Sequence, residues 1–424
     1  MKAVVFHDIG DIRLEDVPDP RIEAPTDAVV RITTSAICGT DLHFVRGTMS
    51  DVAPGTVLGH EGVGVVEELG TMVRNLKVGD RVVIPSTIAC GSCVYCRAGY
   101  HAQCDNANPN GSRAGTAFFG GPRASGPFHG LQAEKARVPF AHAGLVKLPD
   151  DIGDDQAILM SDIFPTGYFA ADLAEVSAGD TVAVFGCGPV GQFAIASAKL
   201  KGAARVFAVD SRRDRLDMAL DQGAEIVNFE QDDPVAAIAE LTRGIGADRA
   251  IDAVGVDAEH AHHGPAAKQA REKERQFQQE IAEMAPKAKK KGANWRPGDA
   301  PRQALEWAVM ALAKAGTLGI VGVYPPAARS FPIGQAMNKN LALNMGNCHH
   351  RRYIPKLIKL TRSGAIRPET ILTKTEPIAD VIEAYRAFDR REPGWIKVAL
   401  DTLRGAAAPL RGRARDGERL LTWL

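Results

Sequence analysis

Four cysteines fall within fifteen residues, Cys90, Cys93, Cys96 and Cys104, in the pattern C-x2-C-x2-C-x7-C. No other stretch of the chain constrains its fold as much. The two-residue spacings let a tight turn aim successive sulfurs at one point. Four thiolates can then close a tetrahedron around Zn²⁺ with no open position, which makes a structural site. Gly91, Gly99 and the Asn-, Pro- and Gly-rich stretch that follows suit a loop. The chain has seven cysteines, an odd number, and such tight clustering favours metal over disulfides. The alternative is four unrelated buried or reactive thiols. A closed site of this kind stabilises a lobe and implies no chemistry by itself.

The rest of the sequence separates into two textures, and 424 residues accommodate two domains. Up to residue 163, short β-type runs such as AVVRI, GVGVVEELG and DRVVIP alternate with turn signals. Over 164–328, apolar runs alternate with helical segments: TVAVFG and a helix from Pro189, RVFAVD and RDRLDMALDQ, then EIVNF, DRAIDAVG and TLGIVGVY. That alternation predicts a parallel sheet with crossover helices. Residues 329–403 are mixed again and are expected to return to the first domain. Residues 257–303 form a long polar connection between two predicted strands. Within it Phe277, Ile281 and Met284 recur at helical spacing, and Lys287 to Lys291 form a basic run. One amphipathic helix with solvated flanks is expected there. The tail 404–424, rich in Ala, Arg and Gly, is expected to be disordered or loosely docked.

Charge and hydropathy exclude several classes of partner. Basic and acidic residues balance, 51 against 51, so nothing argues for a nucleic acid or an anionic membrane. Thr181 to Ala198 lacks Asp, Glu, Lys, Arg and His, but Gly186, Gly188, Pro189 and Gly191 break it. It reads as strand, turn and helix rather than as a membrane span. The opening MKAVVFHDIG reaches His7 and Asp8 after a short apolar run, which fits no secretory segment, and the cytoplasm is expected.

Three further motifs carry chemistry. Cys38-Gly39-Thr40-Asp41-Leu42-His43 and Gly59-His60-Glu61 lie upstream of the cysteine run. A catalytic zinc takes about three protein ligands and keeps one position open. Cys38 and His60 can supply two, and the third must come from elsewhere. Gly186-Cys187-Gly188-Pro189-Val190-Gly191 fits G-x-G-x-x-G after a β-run and at the opening of a helix, the context of a dinucleotide site. Its glycines permit the tight turn and the approach of a pyrophosphate to backbone N–H groups. The second run, RVFAVD, ends in Asp210, an acid placed to bind ribose hydroxyls and repel a 2′-phosphate. NAD is therefore expected rather than NADP, although Arg212 and Arg213 follow closely and a nearby arginine can accommodate that phosphate.

Together these motifs resemble one family. GHEGVGVVEELG followed by VRNLKVGDRVV is similar to the signature of the zinc-containing medium-chain alcohol dehydrogenases, and the four cysteines sit where that family has its structural zinc. The resemblance covers residues 1–403 apart from 257–303. It implies an α/β fold: a GroES-like β-barrel catalytic domain from 1–163 with 329–403, and a Rossmann doubly wound parallel sheet from 164–328. It also implies two Zn²⁺ per chain, with Cys38 and His60 as ligands of the catalytic one. Many members use a cysteine as the third ligand. Here the matching stretch, Leu159 to Tyr168, reads LMSDIFPTGY, with Asp162 at the ligand position. That wording is similar to the glutathione-independent formaldehyde dehydrogenase branch, where an aspartate serves, and a carboxylate is an acceptable zinc ligand. The competing role for Asp162 is a helix cap.

Other roles follow from the same resemblance. Glu61 matches a carboxylate close to the metal. Thr40 and His43 match a proton relay that runs from a hydroxyl to a histidine near solvent; otherwise His43 is a surface residue. In the formaldehyde dehydrogenase branch an extra loop covers the adenine end of the cofactor, so 257–303 either shields the cofactor or is a surface or subunit-contact helix. The implied activity is hydride transfer between NAD and a small alcohol or hydrated, formaldehyde-like aldehyde. A homo-oligomer, dimer or tetramer, is expected. The other readings are a zinc-free reductase on this fold, which would lack the ligand set, and a non-enzymatic NAD(H)-binding or structural protein.

Overall fold

A computed structural model describes residues 1–111, 115–289 and 291–403; the expectation for the tail lies outside the described residues. Six strands form one sheet in the spatial order Glu225–Asn228, Arg205–Asp210, Thr181–Phe185, Ala247–Asp252, Leu312–Ile320 and Ala342–Met345. Every neighbouring pair is parallel. Helices cover its faces, so the central strands are apolar along their length: Val182, Ala183, Val184 and Phe185 are all buried. The order reverses between Thr181–Phe185 and Ala247–Asp252. In a doubly wound sheet that is where a crevice opens beyond the strand carboxyl ends.

The parallel sheet extends past residue 328, where the sequence pattern had ended it. Its sixth strand, Ala342–Met345, is an edge strand with partly exposed residues, so no buried apolar run announces it.

The second large sheet runs in the order Lys374–Pro377, Val398–Asp401, Ala28–Ile37, Gly62–Leu69, Arg81–Ile84 and Val146–Lys147, with Lys135–Val138 also paired to Ala28–Ile37. The antiparallel pairing of Val398–Asp401 with Ala28–Ile37 brings the end of the described chain back to the domain where it began. Lys2–Asp8, Asp11–Asp16 and Thr56–Val57 make a small separate sheet. Cys90, Cys96 and Cys104 pack into the same apolar cluster as Ile32, Val82 and Ile84, so the cysteine lobe is continuous with this core.

Residues 264–284 form the expected helix, burying Ala266, Ala270, Phe277 and Met284 on one face while Ile281 is half-buried. Beyond it Lys287, Lys289 and Lys291 are exposed, as a solvated flank requires, but the segment then turns inward. Trp295 is buried with Phe6, Tyr385 and Phe388 of the other domain, and Lys289 Nζ reaches Gly10 O at 3.3 Å. The insertion therefore leaves the parallel sheet and straps onto the first domain. Among the described residues no helix is long and apolar enough to cross a membrane.

Candidate active site

A cavity of about 960 Å³ runs through the crevice at the point where the strand order reverses. Cys38, His60 and Asp162 line one end, and Gly186, Gly188 and Asp210 line the other. Its size is that of a site for a cofactor or drug-sized ligand.

Three chain segments bring the first group together. Cys38 ends the strand Ala28–Ile37 and caps the helix Gly39–Arg46, its backbone N–H donating to Asp41 Oδ2 at 3.0 Å. His60 lies in the irregular segment just before Gly62–Leu69. Asp162 interrupts two helices, Asp154–Ser161 and Ile163–Leu173, at φ −141°, ψ −68°. It occupies the cap position of the second helix, but its side chain makes no capping bond. Instead Oδ2 lies 3.2 Å from His60 Nε2 and 3.6 Å from Cys38 Sγ. The ligand atoms of Cys38, His60, Glu61 and Asp162 all fall within 4.8 Å of one another, with the four residues buried. A thiol, an imidazole and carboxylates converging on one point are a donor set that fits a divalent zinc ion.

The partners of this cluster were not visible in the sequence. His60 Nδ1 lies 3.1 Å from Asp41 Oδ1, which fixes the ring so that Nε2 points inward. Gln132 donates to Asp41 Oδ2 at 3.2 Å and accepts from Tyr385 Oη at 2.8 Å. His350 Nε2 lies 2.6 Å from Asp162 Oδ1, and Thr166 Oγ1 donates to the same oxygen at 3.1 Å. Burial opposes a charge on Asp162, but the bonds from His350 and His60 hold its carboxyl well below the usual range. Lys397, fully buried, donates to Glu61 Oε1 at 2.5 Å. Glu61 Oε2 is buried without a hydrogen-bond partner, and burial raises this carboxyl to about 7 despite Lys397. An orphaned carboxylate oxygen within the cluster is a further feature that suits a cation there. Asp41 stood within the quoted Cys38 motif, so its position was readable. His350 and Lys397 come from far along the chain, and only the fold pairs them.

His43 differs from expectation. It is buried, not at the surface, although it lines the cavity. Its Nδ1 lies 2.8 Å from Thr48 Oγ1 and 3.5 Å from Asp257 Oδ2. The hydroxyl bonded to its ring is thus that of Thr48; Thr40 is half-buried on the same cavity wall. Asp257 belongs to the insertion and is held by Arg46, which also donates to Asp389 at 2.8 Å.

At the other end, the glycine turn is tight. Gly186 sits at φ +86°, and a Cβ on Gly191 would come 1.8 Å from Gly186 O, so helix Pro189–Leu200 can start here only on glycine. Gly188 caps that helix, with Pro189 and Val190 in its first turn. Asp210 Oδ2 accepts the Cys187 N–H at 2.7 Å, and Oδ1 accepts those of Ser211 and Arg212 at 2.7 and 2.9 Å. Arg212 pairs with Glu259 at 2.9 Å. The Cys187 side chain is buried in the sheet core, as a small filler.

In the cysteine lobe all four sulfurs lie within 4.8 Å of one another, and all are free thiols. Backbone N–H groups of Ser92 and Cys93 donate to Cys90 Sγ at 3.4 and 3.3 Å, and Cys96 N–H to Cys93 Sγ at 3.4 Å. Burial alone would raise the Cys90 thiol, but the Ser92 hydroxyl and the Ser92 and Cys93 N–H groups bring it down to about 6, which favours the thiolate a metal needs. Besides sharing the core of the first domain, the lobe meets His349, whose Nδ1 accepts the Ala102 N–H at 3.2 Å and whose ring packs on Tyr100 and Phe169.

Comparison with known proteins bears on this arrangement. Residues 24–150 match the model of the alcohol dehydrogenase GroES-like domain, and residues 189–261 that of the zinc-binding dehydrogenases. The chain is 37% identical over 404 residues to an uncharacterized zinc-type alcohol dehydrogenase-like protein, AdhB, of Bacillus subtilis, covering 94% of this chain and 100% of that one. It is 40% identical over 276 residues to the glutathione-independent formaldehyde dehydrogenase of Pseudomonas aeruginosa, covering 62% of this chain and 68% of that one. The solved alcohol dehydrogenase TADH from Thermus sp. ATN1 aligns with a TM-score of 0.76 at 33% identity, over 95% of this chain and 99% of that one.

Proposed function

The chain belongs to the zinc-type medium-chain alcohol dehydrogenases, and on that premise we propose that it transfers a hydride from a small alcohol or hydrated aldehyde to NAD. In this reading Cys38, His60 and Asp162 hold a catalytic Zn²⁺, and Cys90, Cys93, Cys96 and Cys104 hold a structural one. When bound, the catalytic ion supplies Lewis acidity toward a substrate oxygen, and the nicotinamide supplies the hydride acceptor.

The chain's own residues do the rest. Thr40, on the cavity wall, accepts the substrate hydroxyl proton as it passes its own to the neutral His43 ring, which becomes imidazolium. Thr48 and Asp257 orient the His43 ring, and the Asp257 carboxylate favours the imidazolium that forms. Asp41 and His350 hold His60 and Asp162 in place. The glycine turn Gly186 to Gly191 cradles the dinucleotide, and Asp210 meets the ribose. Met284, Asp257 and Glu259 of the insertion line the cavity, which supports a role in covering the cofactor. Likeness to a formaldehyde dehydrogenase supports a hydrated aldehyde among the substrates. Exposed Ile333, Met337 and Met345, close to the edge strand of the parallel sheet, support a homo-oligomer, and the clustered free thiols support the cytoplasm.

The observation that carries the proposal is the position of Asp162, whose Oδ2 lies between Cys38 and His60 at the head of a cavity that ends at Asp210. The test is zinc per chain together with NADH formation from a panel of small alcohols and formaldehyde. Two zinc ions and NADH formation are expected, with one ion and turnover lost in Cys38→Ser or Asp162→Ala. Turnover retained in either variant would refute the assignment.

A further inference from the structure

We propose that Glu259, an acid supplied by the insertion, sets the choice between NAD and NADP. This rests on the reading that the crevice takes a nicotinamide dinucleotide whose adenosine ribose meets the end of strand Arg205–Asp210. At that strand end two side chains pull in opposite directions. Asp210 favours two ribose hydroxyls, whereas an arginine close by can accept a 2′-phosphate.

Arg391 also lines the cavity but is held from the far side of Glu259 by that carboxylate and by the Asp257 carbonyl, so at the strand end the question narrows to Arg212. Asp210 is fixed by the three backbone N–H groups of Cys187, Ser211 and Arg212. Arg213 is 75% exposed and pairs with Asp217 on its own helix, so it does not serve the cavity. Arg215 Nη1 lies 4.0 Å from Asp210 Oδ2, but it sits against Gly188, on the glycine turn where the pyrophosphate would lie. Arg212 lines the cavity, and its Nη2 donates to Glu259 Oε2 at 2.9 Å. The other carboxylate oxygen of Glu259 is against Arg391. Burial opposes its charge, yet Arg391 and Arg212 hold this carboxyl below its ordinary value, so it stays anionic.

The consequence is electrostatic. The guanidinium that would accommodate a 2′-phosphate already has an anion, and that anion faces the same cavity as Asp210. A 2′-phosphate would have to displace Glu259 from Arg212 and lie against two carboxylates. A ribose hydroxyl would do neither. Discrimination of this kind comes from a repulsive element built against the competitor as much as from contacts to the favoured ligand. By position in the sequence Arg212 weakens the case for NAD; in the fold Glu259 turns it into part of the barrier.

The test uses the zinc-loaded full chain and fluorescence titration with NADH and NADPH, which needs no substrate. The wild type is expected to bind NADH more tightly. Glu259→Gln should narrow the ratio of the two dissociation constants by about tenfold, mainly through a gain for NADPH. Adding Arg212→Ala should remove that gain, and Glu259→Asp should keep the wild-type ratio. Parallel changes for both nucleotides in Glu259→Gln, with the ratio unmoved, would overturn the role of Glu259 while leaving the NAD reading in place. A wild type that binds NADPH as tightly as NADH, or that binds neither, overturns both. Arg212→Gln provides a check independent of how the Glu259 variants fold. It leaves the Glu259 charge uncompensated on that side and should widen the ratio; a narrower ratio there would overturn the proposal.

Discussion

His350 Nε2 lies 2.6 Å from Asp162 Oδ1, across a sequence separation of 188 residues. The same carboxylate turns its other oxygen toward Cys38 and His60. One side chain thus faces the ligand cluster with Oδ2 and is gripped from behind at Oδ1. Removing the grip in His350→Ala should let the carboxylate rotate. Zinc affinity at that site is expected to fall about 10- to 100-fold, with kcat falling alongside. Chelator competition measures the first, and ion content at the cysteine lobe should not change. His350→Gln keeps a donor and should recover part of the loss. Wild-type affinity in the alanine variant would show that Thr166 suffices.

The cysteine lobe should behave as a separate folding element. Cys93→Ser is expected to release one of two zinc ions per chain and to lower the melting temperature by at least about 5 °C. Hydride transfer measured at low temperature should persist, because this lobe offers no open coordination position. Loss of activity with an unchanged melting curve would contradict the division of roles.

Proton release carries a pH signature. Burial pushes the His43 imidazole below 6.5, Asp257 pulls it up, and Arg46 pushes it down. His43 must be neutral to accept a proton, so it is competent above its own pKa. The acid limb of kcat belonging to it should therefore lie below pH 6.5. Asp257→Asn removes the anion that favours the imidazolium, so the limb should move to still lower pH while kcat drops about 3- to 10-fold. A limb that stays in place in Asp257→Asn would remove Asp257 from the relay.

Stability should depend on His349. Burial, with His101 and Arg352 nearby, lowers its imidazole to about 4, and its Nδ1 is occupied as an acceptor by the Ala102 N–H. The unfolded chain takes up this proton below about 6.5, whereas the folded chain resists until about 4. Its contribution is therefore complete above pH 6.5 and is lost progressively as pH falls from 6.5 toward 4. The expected loss is about 2 kcal/mol over that window. Denaturant midpoints at pH 4.5 and 7.5 measure it, and His349→Phe should flatten the difference.

Much of this molecule was legible because the informative residues are close together in sequence. The cysteine run, the glycine turn and the apolar strands of the parallel sheet each announce themselves within a few positions. Asp162 was readable from its neighbours Ser161, Ile163, Pro165 and Gly167 only through resemblance, since nothing in the local string says what an aspartate faces. The residues that sequence did not give are those defined by distant partners: His350 against Asp162, Lys397 against Glu61, and Asp257 against Arg46 and His43. His43 was expected near solvent because the relay it resembles ends at such a histidine; in the fold it is buried, with Thr48 and the insertion's Asp257 against its ring. The strand Ala342–Met345 escaped because an edge strand needs no continuous apolar run.

His349 and His350 are consecutive residues with different obligations. The first receives Ala102 of the cysteine lobe, and the second holds Asp162. They share a peptide bond at the start of the helix His350–Arg362, with His349 at its cap position. One short stretch of backbone thus seats the cysteine lobe on one side and the Asp162 carboxylate on the other.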